Sequence, residues 1–233
     1  MAYAINLSVK DYAKLFPWDS NFAYAIGLLV TDGNLSKDGR HFEFTSKDME
    51  QIRNFMRCLK LHVKISLKSS GYTGTRVPHL QFGNVRLYRY LETLGIHPAK
   101  SKTIGELDIP NEWFFDFLRG HFDGDGSSYS YWDKRWRSSF MYYLTFNSAS
   151  PIHLRWLRER LRVLLGVQGH ITKARKQSVE QLKYAKREAN IILKKMYPNP
   201  KVVCLTRKRL KILRALATIG RTVETSKTRA RVL

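Results

Sequence analysis

The amino-acid sequence predicts an α+β protein made of two similar halves. The segment "FAYAIGLLVTDGNLS" (22–36) is matched by "FFDFLRGHFDGDGSS" (114–128), with Asp32 and Asp125 aligned at an offset of 93 residues. Downstream, "FTSKDMEQIRNF" (44–55) is matched by "FNSASPIHLRWL" (146–157) at an offset of 102. Stretches with the alternating pattern of strands follow both recurring segments. The same order of elements in both halves indicates an internal duplication.

The first half begins with a helix over about 20–31 that ends at an Asp-Gly turn. The strand "RHFEFTS" follows, and then an amphipathic helix in "SKDMEQIRNFMRCLKL", for which Ser46 is a plausible N-cap. The stretch "VKISLKS" (63–69) alternates strictly, with Val63, Ile65 and Leu67 on one face, and "HLQFG" (79–83) is expected to pair with it. A helix in "VRLYRYLETLG" completes the half.

The second half repeats this order with a longer strand-loop-strand, because nine extra residues fall in "SYSYWDKRWRSS". A helix over about 112–123 precedes the strand "SFMYYLTFN" and a helix that contains Pro151 near its start and Gly166 at its end. Strands in "QGHITKARKQ" and "VEQLKYAK" and a helix in "REANIILKKMY" follow. The last stretch is expected to form a basic helix, "LTRKRLKILRALATIG", and then to fray.

These elements predict the domain boundaries. The first half spans 1–98 with its motif at 25–33, and a linker marked by Pro98 and Pro110 spans 99–111. The second half spans 112–220 with its motif at 118–126, and 221–233 form a basic tail.

The charge of the chain indicates a polyanionic partner. Among 233 residues, 41 are Lys or Arg and 19 are Asp or Glu, so the formal net charge is +22. Nucleic acid fits this excess, because each neutralised phosphate releases counterions. Cys58 and Cys204, both expected on helices, show no metal-ligand or disulfide spacing. The sequence shows no signal peptide or membrane-length apolar run, so we expect an intracellular protein without a membrane partner.

Small residues on the two motif helices predict a close contact. They recur four apart on one face: Ala23, Gly27 and Thr31 in the first helix, Gly120 and Gly124 in the second. Two such faces can pack against each other at short distance. The helices would then end side by side and bring Asp32 and Asp125 together.

Two adjacent carboxylates in a basic protein favour a site for a hard divalent cation. Mg²⁺ binds through one or two protein carboxylates and completes its shell with water and phosphate oxygens. The plainer interpretation, that Asp-Gly is only a turn signal, would win for a single copy, but two equivalent copies favour the metal. An EF-hand does not fit, because Ser128 and Lys134 occupy its Gly and Glu positions. Asp123 stands opposite Val30 and is therefore predicted to be structural.

The polar faces of the strands are candidate DNA-reading surfaces. Arg and Lys suit guanine and Gln suits adenine, while other residues contact phosphates. The candidates are Lys64, Ser66, Lys68, His79 and Gln81 in the first half, and Lys134, Arg137, His170, Lys173, Arg175 and Gln177 in the second.

At these residues the chain resembles a known family. "AIGLLVTDG" (25–33) and "LRGHFDGDG" (118–126) resemble the two motifs of LAGLIDADG homing endonucleases in their single-chain, two-motif form. The resemblance implies two pseudosymmetric αββαββα halves whose saddle-shaped antiparallel sheets straddle DNA. It also implies metal-dependent cleavage of both strands across the minor groove at a long target site, by a functional monomer.

The resemblance assigns further roles. It implies that the carbonyl groups of Thr31 and Gly124 help Asp32 and Asp125 to hold metal. It places basic catalytic residues at Lys100 and Lys208, and polar solvent-positioning residues at Ser46 and Ser148. The expected cofactor is Mg²⁺ or Mn²⁺, with Ca²⁺ supporting binding but little cleavage. The gene would lie in an intron or an intein.

Two alternatives stay open beside the endonuclease. One is an intron RNA maturase, and the other is a non-cleaving DNA-binding protein of the same fold. Retention of both Asp32 and Asp125 argues against the second. Arg119 and His121 have no explanation in the motif, and we expect their side chains to point away from the contact between the helices.

Overall fold

The computed structural model describes residues 8–69, 74–136, 138–173 and 178–230. The first half contains, in order, α1 (Val9–Leu15), α2 (Ser20–Asp32), β1 (Gly33–Leu35), β2 (His41–Thr45), α3 (Met49–Cys58), β3 (Ser66–Ser69), β4 (Arg76–Gly83) and α4 (Val85–Thr93). Its antiparallel strands have the order β1-β2-β4-β3. Short 3-10 helices at Lys100–Lys102 and Asn111–Trp113 lead to the second half.

The second half repeats the arrangement with longer strands. Its elements are α5 (Phe114–Asp125), β5 (Ser127–Trp132), β6 (Phe140–Ser148), α6 (Pro151–Leu165), β7 (His170–Lys173), β8 (Glu180–Ala185) and α7 (Lys186–Met196), followed by α8 (Thr206–Ala230). The strand order β5-β6-β8-β7 equals that of the first sheet. The predicted α+β architecture of two pseudosymmetric halves is confirmed.

Local expectations needed four corrections. Asp48, and not Ser46, is the N-cap of α3, because its carboxylate accepts from the Glu50 amide while Ser46 turns to Gln51. Cys204 lies in a loop instead of a helix, and both cysteines are free thiols. Strand β3 begins only at Ser66, and Leu67 is 60% exposed because this edge strand lacks a covering helix there. Helix α8 continues to Ala230, where fraying was expected.

The core lies between the sheets and the helices packed on their inner faces. In the first half Phe42, Phe44, Leu80 and Phe82 are buried, and Phe44 stacks on Phe55 of α3 with ring centroids 4.1 Å apart. In the second half the corresponding buried residues are Tyr142, Leu144, Phe146, Leu182 and Tyr184. Alternate residues of each strand thus face the helices, which leaves the opposite face of each sheet open. Within the described part of the chain, no helix is long and apolar enough to cross a membrane.

Helices α2 and α5 join the halves through a contact between glycines. A Cβ atom on Gly27 would lie 2.1 Å from the carbonyl oxygen of Phe117, and one on Gly120 would lie 2.0 Å from that of Tyr24. Neither distance is possible for real atoms, so only glycine permits this approach. The predicted close contact is confirmed.

Arg119 and His121 extend into the second half, but Arg119 also contacts α2. It donates to the Ser20 hydroxyl at 3.2 Å, and its guanidinium lies 5.6 Å from the centroid of the Tyr24 ring, so the expectation that it points away from α2 is met only in part. Arg119 is fully buried and donates to the carbonyl oxygens of Met196 at 2.7 Å and Val203 at 2.8 Å, and to the Asp116 carboxylate at 2.6 Å. These bonds tie α5 to the loop before α8. The ring of His121 stacks on His153 of α6, with centroids 5.3 Å apart.

Candidate active site and nucleic-acid interface

Helices α2 and α5 end at the same place, and each ends in an aspartate. Asp32 is the last residue of α2 and Asp125 the last of α5. A Cβ on Gly124 would lie 1.9 Å from the Thr31 hydroxyl and 2.7 Å from the Asp32 carboxylate oxygen Oδ2. Gly124 therefore lets the carboxylate of one helix lie against the backbone of the other. This geometry brings the two predicted acids to one site.

Asp32 is held by a short chain of hydrogen bonds. Gln51 of α3 donates from Nε2 to Asp32 Oδ2 at 2.6 Å, and the Ser46 hydroxyl donates to Gln51 Oε1 at 2.7 Å. Burial, and then the negative charge of Asp125, raise the pKa of Asp32 to about 6. The two carboxylates thus repel each other across the helix ends, which is the condition that a cation between them relieves.

Asp125 is more exposed than Asp32, and its environment differs. Partial burial raises the pKa of Asp125, while Lys208 and Lys100 act to lower it. Its backbone carbonyl accepts a short hydrogen bond from the side-chain amide of Asn147. The carboxylate itself faces a cavity of about 360 Å³ whose lining includes Ser148.

Two lysines occupy equivalent positions around the carboxylates. The ammonium of Lys100 donates to the carbonyl oxygen of Gly33, and that of Lys208 donates at 2.7 Å to the carbonyl oxygen of Gly126, the counterpart of Gly33. Burial lowers the pKa of each lysine to about 8, against the opposing pull of Asp32 and Asp125. Both lysines therefore sense both carboxylates, as their places in the sequence predict.

Lys208 also closes the end of helix α5. It donates to the carbonyl oxygens of Phe122 at 2.6 Å, Asp123 at 2.8 Å and Gly124 at 3.2 Å. These carbonyls lie at the negative end of the helix dipole, and the Phe122 carbonyl also accepts the amide of the C-cap residue Gly126 at 2.9 Å. The Gly124 carbonyl, expected to bind metal, is thus shared with an ammonium group, although its oxygen has two lone pairs.

Asp123 sits inside the protein beside this site. It is 1% exposed and accepts from the Tyr24 hydroxyl and the Leu205 amide, each at 2.7 Å. Burial raises the pKa of Asp123 to about 6. These contacts connect α5 to α2 and to the start of α8, in agreement with the structural role predicted for it.

The donor set fits a cation of the Mg²⁺ type. Among the described residues, no three His, Cys, Asp or Glu side chains converge as a metal-binding group. The acids that meet at the helix ends are Asp32 and Asp125, and the roles of the Thr31 and Gly124 carbonyl groups as metal ligands stay a prediction. Mg²⁺ or Mn²⁺ fits such a set, because it keeps several waters and needs few protein ligands.

The open face of the first sheet carries most of its predicted DNA readers. In the register, Ser66 pairs with His79 and Glu43 with Gln81, on the face opposite Phe42 and Leu80. Ser66, Lys68 and Gln81 are exposed, and Lys64 is exposed just before β3. His79 is 7% exposed and lies 3.2 Å from the Ser66 hydroxyl, so it supports the surface more than it extends from it.

Sequence reasoning missed Glu43. This acid lies in the centre of the open face and accepts from the Lys68 ammonium at 3.0 Å. The alternation in "RHFEFTS" places Glu43 opposite to Phe42 and Phe44, and this signal was sufficient to find it. Lys68 is therefore a paired cation rather than an unpaired one.

Only some of the second-half residues predicted to contact DNA lie on the open face of the second sheet. His170 pairs with Lys183 on the open face and is exposed, and Lys134 is exposed beyond β5. Lys173 pairs with Glu180, so it alternates with His170 and falls on the other side of the strand. Its assignment to the open face is wrong because a one-residue step reverses the face, and a contact with DNA stays a prediction. Arg137, Arg175 and Gln177 lie outside the described residues.

Other side chains share the open face of the second sheet and were missed. Tyr129, Tyr131, Tyr143, Gln181 and Lys183 lie there by register. Strict alternation in "SSYSYW", "FMYYLTFN" and "EQLKYA" identifies each of them. The prediction favoured charged loop residues over the strands themselves.

Comparison with protein-family models finds no match to this sequence, and comparison with curated proteins finds none either. Solved structures do match. The LAGLIDADG meganuclease I-AabMI bound to uncleaved DNA has a TM-score of 0.59 at 14% identity, covering 91% of this chain and 93% of that one. The homing endonuclease I-WcaI bound to its DNA recognition sequence has a TM-score of 0.58 at 13% identity, covering 91% and 95%.

A third match is full-length DUF199/WhiA from Thermatoga maritima. Its TM-score is 0.54 at 17% identity, covering 96% of this chain and 72% of that one. At these identities the likeness shows the fold. The chain has the LAGLIDADG homing-endonuclease fold in its single-chain form with two repeats, as the two motifs imply.

Proposed function

We propose that the protein is a site-specific, metal-dependent endonuclease that cuts both strands of duplex DNA. The observation that carries the proposal is the convergence of Asp32 and Asp125 at the joined ends of α2 and α5, with the buried Lys100 and the half-buried Lys208 close to both acids. A duplication that conserved only the fold would not need two acids and two lysines in equivalent places.

The carboxylates of Asp32 and Asp125 would hold Mg²⁺ or Mn²⁺. Such an ion activates water and stabilises the leaving oxygen of a phosphodiester. Gln51 fixes the orientation of Asp32 by donating to its Oδ2 oxygen, and the same carboxylate would hold the cation. Ser46 fixes Gln51 in turn.

Lys100 and Lys208 would act on the scissile phosphates. With pKa values of about 8, both are mostly protonated at neutral pH and can stabilise the negative charge that develops there. Their carbonyl partners, Gly33 and Gly126, hold the ammonium groups at the two ends of the site. One strand would be cut beside each lysine, so a single chain suffices for a double-strand break.

The open faces of the two sheets would bind the duplex. The net charge of +22 supplies sequence-independent affinity for phosphate, and the exposed strand residues supply base contacts. The matched structures of I-AabMI and I-WcaI are described as bound to DNA, which supports duplex DNA as the partner. The functional unit would be a monomer, and cleavage would span the minor groove of a long target site.

A second candidate is a DNA-binding protein of the same fold that does not cleave. The likeness to WhiA, with a TM-score close to those of the endonucleases, favours it. Intron RNA maturation is the remaining alternative, and the positive charge would serve it equally. The non-cleaving alternative leaves the pair of acids without a catalytic role.

A binding selection followed by a cleavage assay tests the proposal. A random duplex DNA pool is first enriched on the protein in Ca²⁺, which we expect to support binding with little cutting. The enriched duplexes are then exposed to Mg²⁺ or Mn²⁺, and their ends are sequenced. We expect breaks in both strands at a fixed position, with a short 3′ overhang. Enrichment without cleavage would favour the non-cleaving alternative, and specific RNA binding without cleavage would favour the maturase.

A further inference from the structure

Three tyrosines form a continuous group on the open face of the second sheet. Tyr129 and Tyr131 lie on β5, and Tyr143 lies on β6 directly opposite Tyr129. Their ring centroids are 5.1 to 6.5 Å apart, with interplanar angles of 5° to 23°. Tyr129 is 36% exposed and Tyr131 is 47% exposed. We call these three residues the tyrosine row.

The fold does not require the tyrosine row. The positions equivalent to Tyr129, Tyr131 and Tyr143 in the first half are Ser36, Asp38 and His41. Cross-strand aromatic pairs stabilise a hairpin, but the first half forms the same sheet order without them. The aromatic surface therefore distinguishes one half of the proposed DNA-binding face from the other.

The geometry of the rings limits what the tyrosine row can bind. The near-parallel rings partly shield one another's faces, and the Lys183 ammonium lies over the Tyr129 ring, so less ring face is open than on isolated tyrosines. Since side chains stand roughly perpendicular to a sheet, we expect ring edges to form the outer surface. Bases of single-stranded nucleic acid need open ring faces on which to stack. Duplex DNA needs only edge contacts, and these rings offer apolar C–H edges beside hydroxyl donors.

Thymine matches that combination. In the major groove it presents an apolar C5-methyl group next to the O4 acceptor, and it is the one base with a methyl group there. The Lys183 ammonium lies 5.8 Å from the centroid of the Tyr129 ring and supplies a cation for an adjacent phosphate. A charged reader such as Glu43 of the first sheet has no such apolar contact to offer.

We propose that the tyrosine row is a specificity-determining surface that selects thymines, through their C5-methyl groups, in the half-site bound by the second sheet. This inference rests on the proposed function, because it takes duplex DNA as the ligand. It adds that the two half-sites differ in composition, and that the difference comes from Tyr129, Tyr131 and Tyr143.

The test compares selections from one random duplex pool in Ca²⁺. The proteins are the wild type, the double variant Tyr129→Ser with Tyr131→Ser, and the matched control Trp132→Ser. Trp132 is also exposed and lies on the same strand, but on its other side. We expect the wild type and the control to enrich thymine within one half-site and the double variant to lose only that enrichment. Unchanged thermal unfolding midpoints check that the variants fold.

Deoxyuridine then isolates the methyl group, because it is thymine without that group. Replacing each selected thymine should weaken wild-type binding about fourfold per contacted methyl, the factor that burial of one such group gives. The double variant should bind the two duplexes equally.

Three outcomes overturn the inference. The first is a selected duplex without tyrosine-dependent thymines, and the second is an equal loss on deoxyuridine substitution in both proteins. The third is a preference for a single-stranded RNA or DNA pool that the double variant loses. Failure to enrich any duplex removes the proposed function as well, whereas the first two outcomes leave it standing.

Discussion

Gln51 donates a 2.6 Å hydrogen bond to Asp32, whereas the equivalent residue of the second half, His153, turns away from Asp125 to the carbonyl oxygen of Gly105. The two halves therefore share the acid but differ in whether this side chain hydrogen-bonds to it. Asp32 is fixed by an amide, and Asp125 is exposed at the mouth of a cavity. The two proposed cleavage sites share their ligands and differ in how rigidly these are held.

Replacing Gln51 with Met should raise the pKa of Asp32 further. The amide lowers that pKa by stabilising the charged carboxylate, and Met has a similar shape without the donor. A hydrogen bond worth about 1 kcal/mol corresponds to about 0.7 pH unit. Titration of the Asp32 carboxyl carbon by NMR measures the change. Gln81→Met, on the exposed face of the first sheet, is the control. An unchanged Asp32 titration in Gln51→Met would show that the amide does not act on the charge.

Gly27→Ala should destabilise the protein by about 3 kcal/mol or more. The new Cβ would lie 2.1 Å from the backbone oxygen of Phe117, so the two motif helices must separate, and the cost is that of a severely overpacked core. Chemical denaturation measures the free energy of unfolding. Gly220→Ala in α8 is the matched control, because a Cβ there meets no described atom within 4 Å, and alanine favours a helix. Equal stability of the two variants would contradict the close helix contact.

The buried histidine pair should make the protein less stable in acid. Burial lowers the pKa of His153 to about 4 and that of His121 well below its usual value. In the unfolded chain each histidine binds a proton near pH 6.5, so the free energy of unfolding loses nothing from these two residues above that pH. As the pH decreases from about 6.5 to 4, the free energy of unfolding falls by about 1.4 kcal/mol per pH unit for each histidine.

A histidine substitution separates the effect of the histidines on acid stability from the effect of the buried carboxyl groups. Asp32 and Asp123, whose pKa values are raised to about 6, act in the opposite direction in every variant and cancel in a comparison. His153→Gln places the first-half residue, glutamine, at this position. It should reduce the slope of the unfolding free energy against pH by the contribution of one histidine. Exposed His62→Gln should leave it unchanged. The same acid dependence in His153→Gln and the wild type would contradict this account.

The acids, the helix contact and the sheet faces could be predicted because short periodic patterns in the sequence encode them. Duplicated motifs identified Asp32 and Asp125, helical spacing identified the glycine contact, and alternation identified the sheet faces. Lys100 and Lys208 came from the resemblance, and the structure brings both to the carboxylates. Their catalytic roles stay predictions.

The features that were missed depend on how distant segments dock. Gln51 reaches Asp32 only because α3 packs beside α2, which no local pattern encodes. Lys173 was misassigned because the charge of a side chain says nothing about strand register. The tyrosine row was readable from alternation, but tyrosines in a strand are also ordinary core residues, as Tyr142 shows.

The most direct test of the central claim is strand cleavage by the two aspartate variants. The selected duplex is incubated in Mg²⁺ with the wild type, Asp32→Asn, Asp125→Asn and the control Asp108→Asn, whose acid is exposed in the segment between the two halves. We predict that both active-site variants lose cleavage of both strands by about a thousandfold or more, as removal of a group central to catalysis does. They should keep duplex binding in Ca²⁺, while Asp108→Asn cleaves like the wild type. Wild-type cleavage by either active-site variant would contradict the claim that Asp32 and Asp125 form one metal-dependent site.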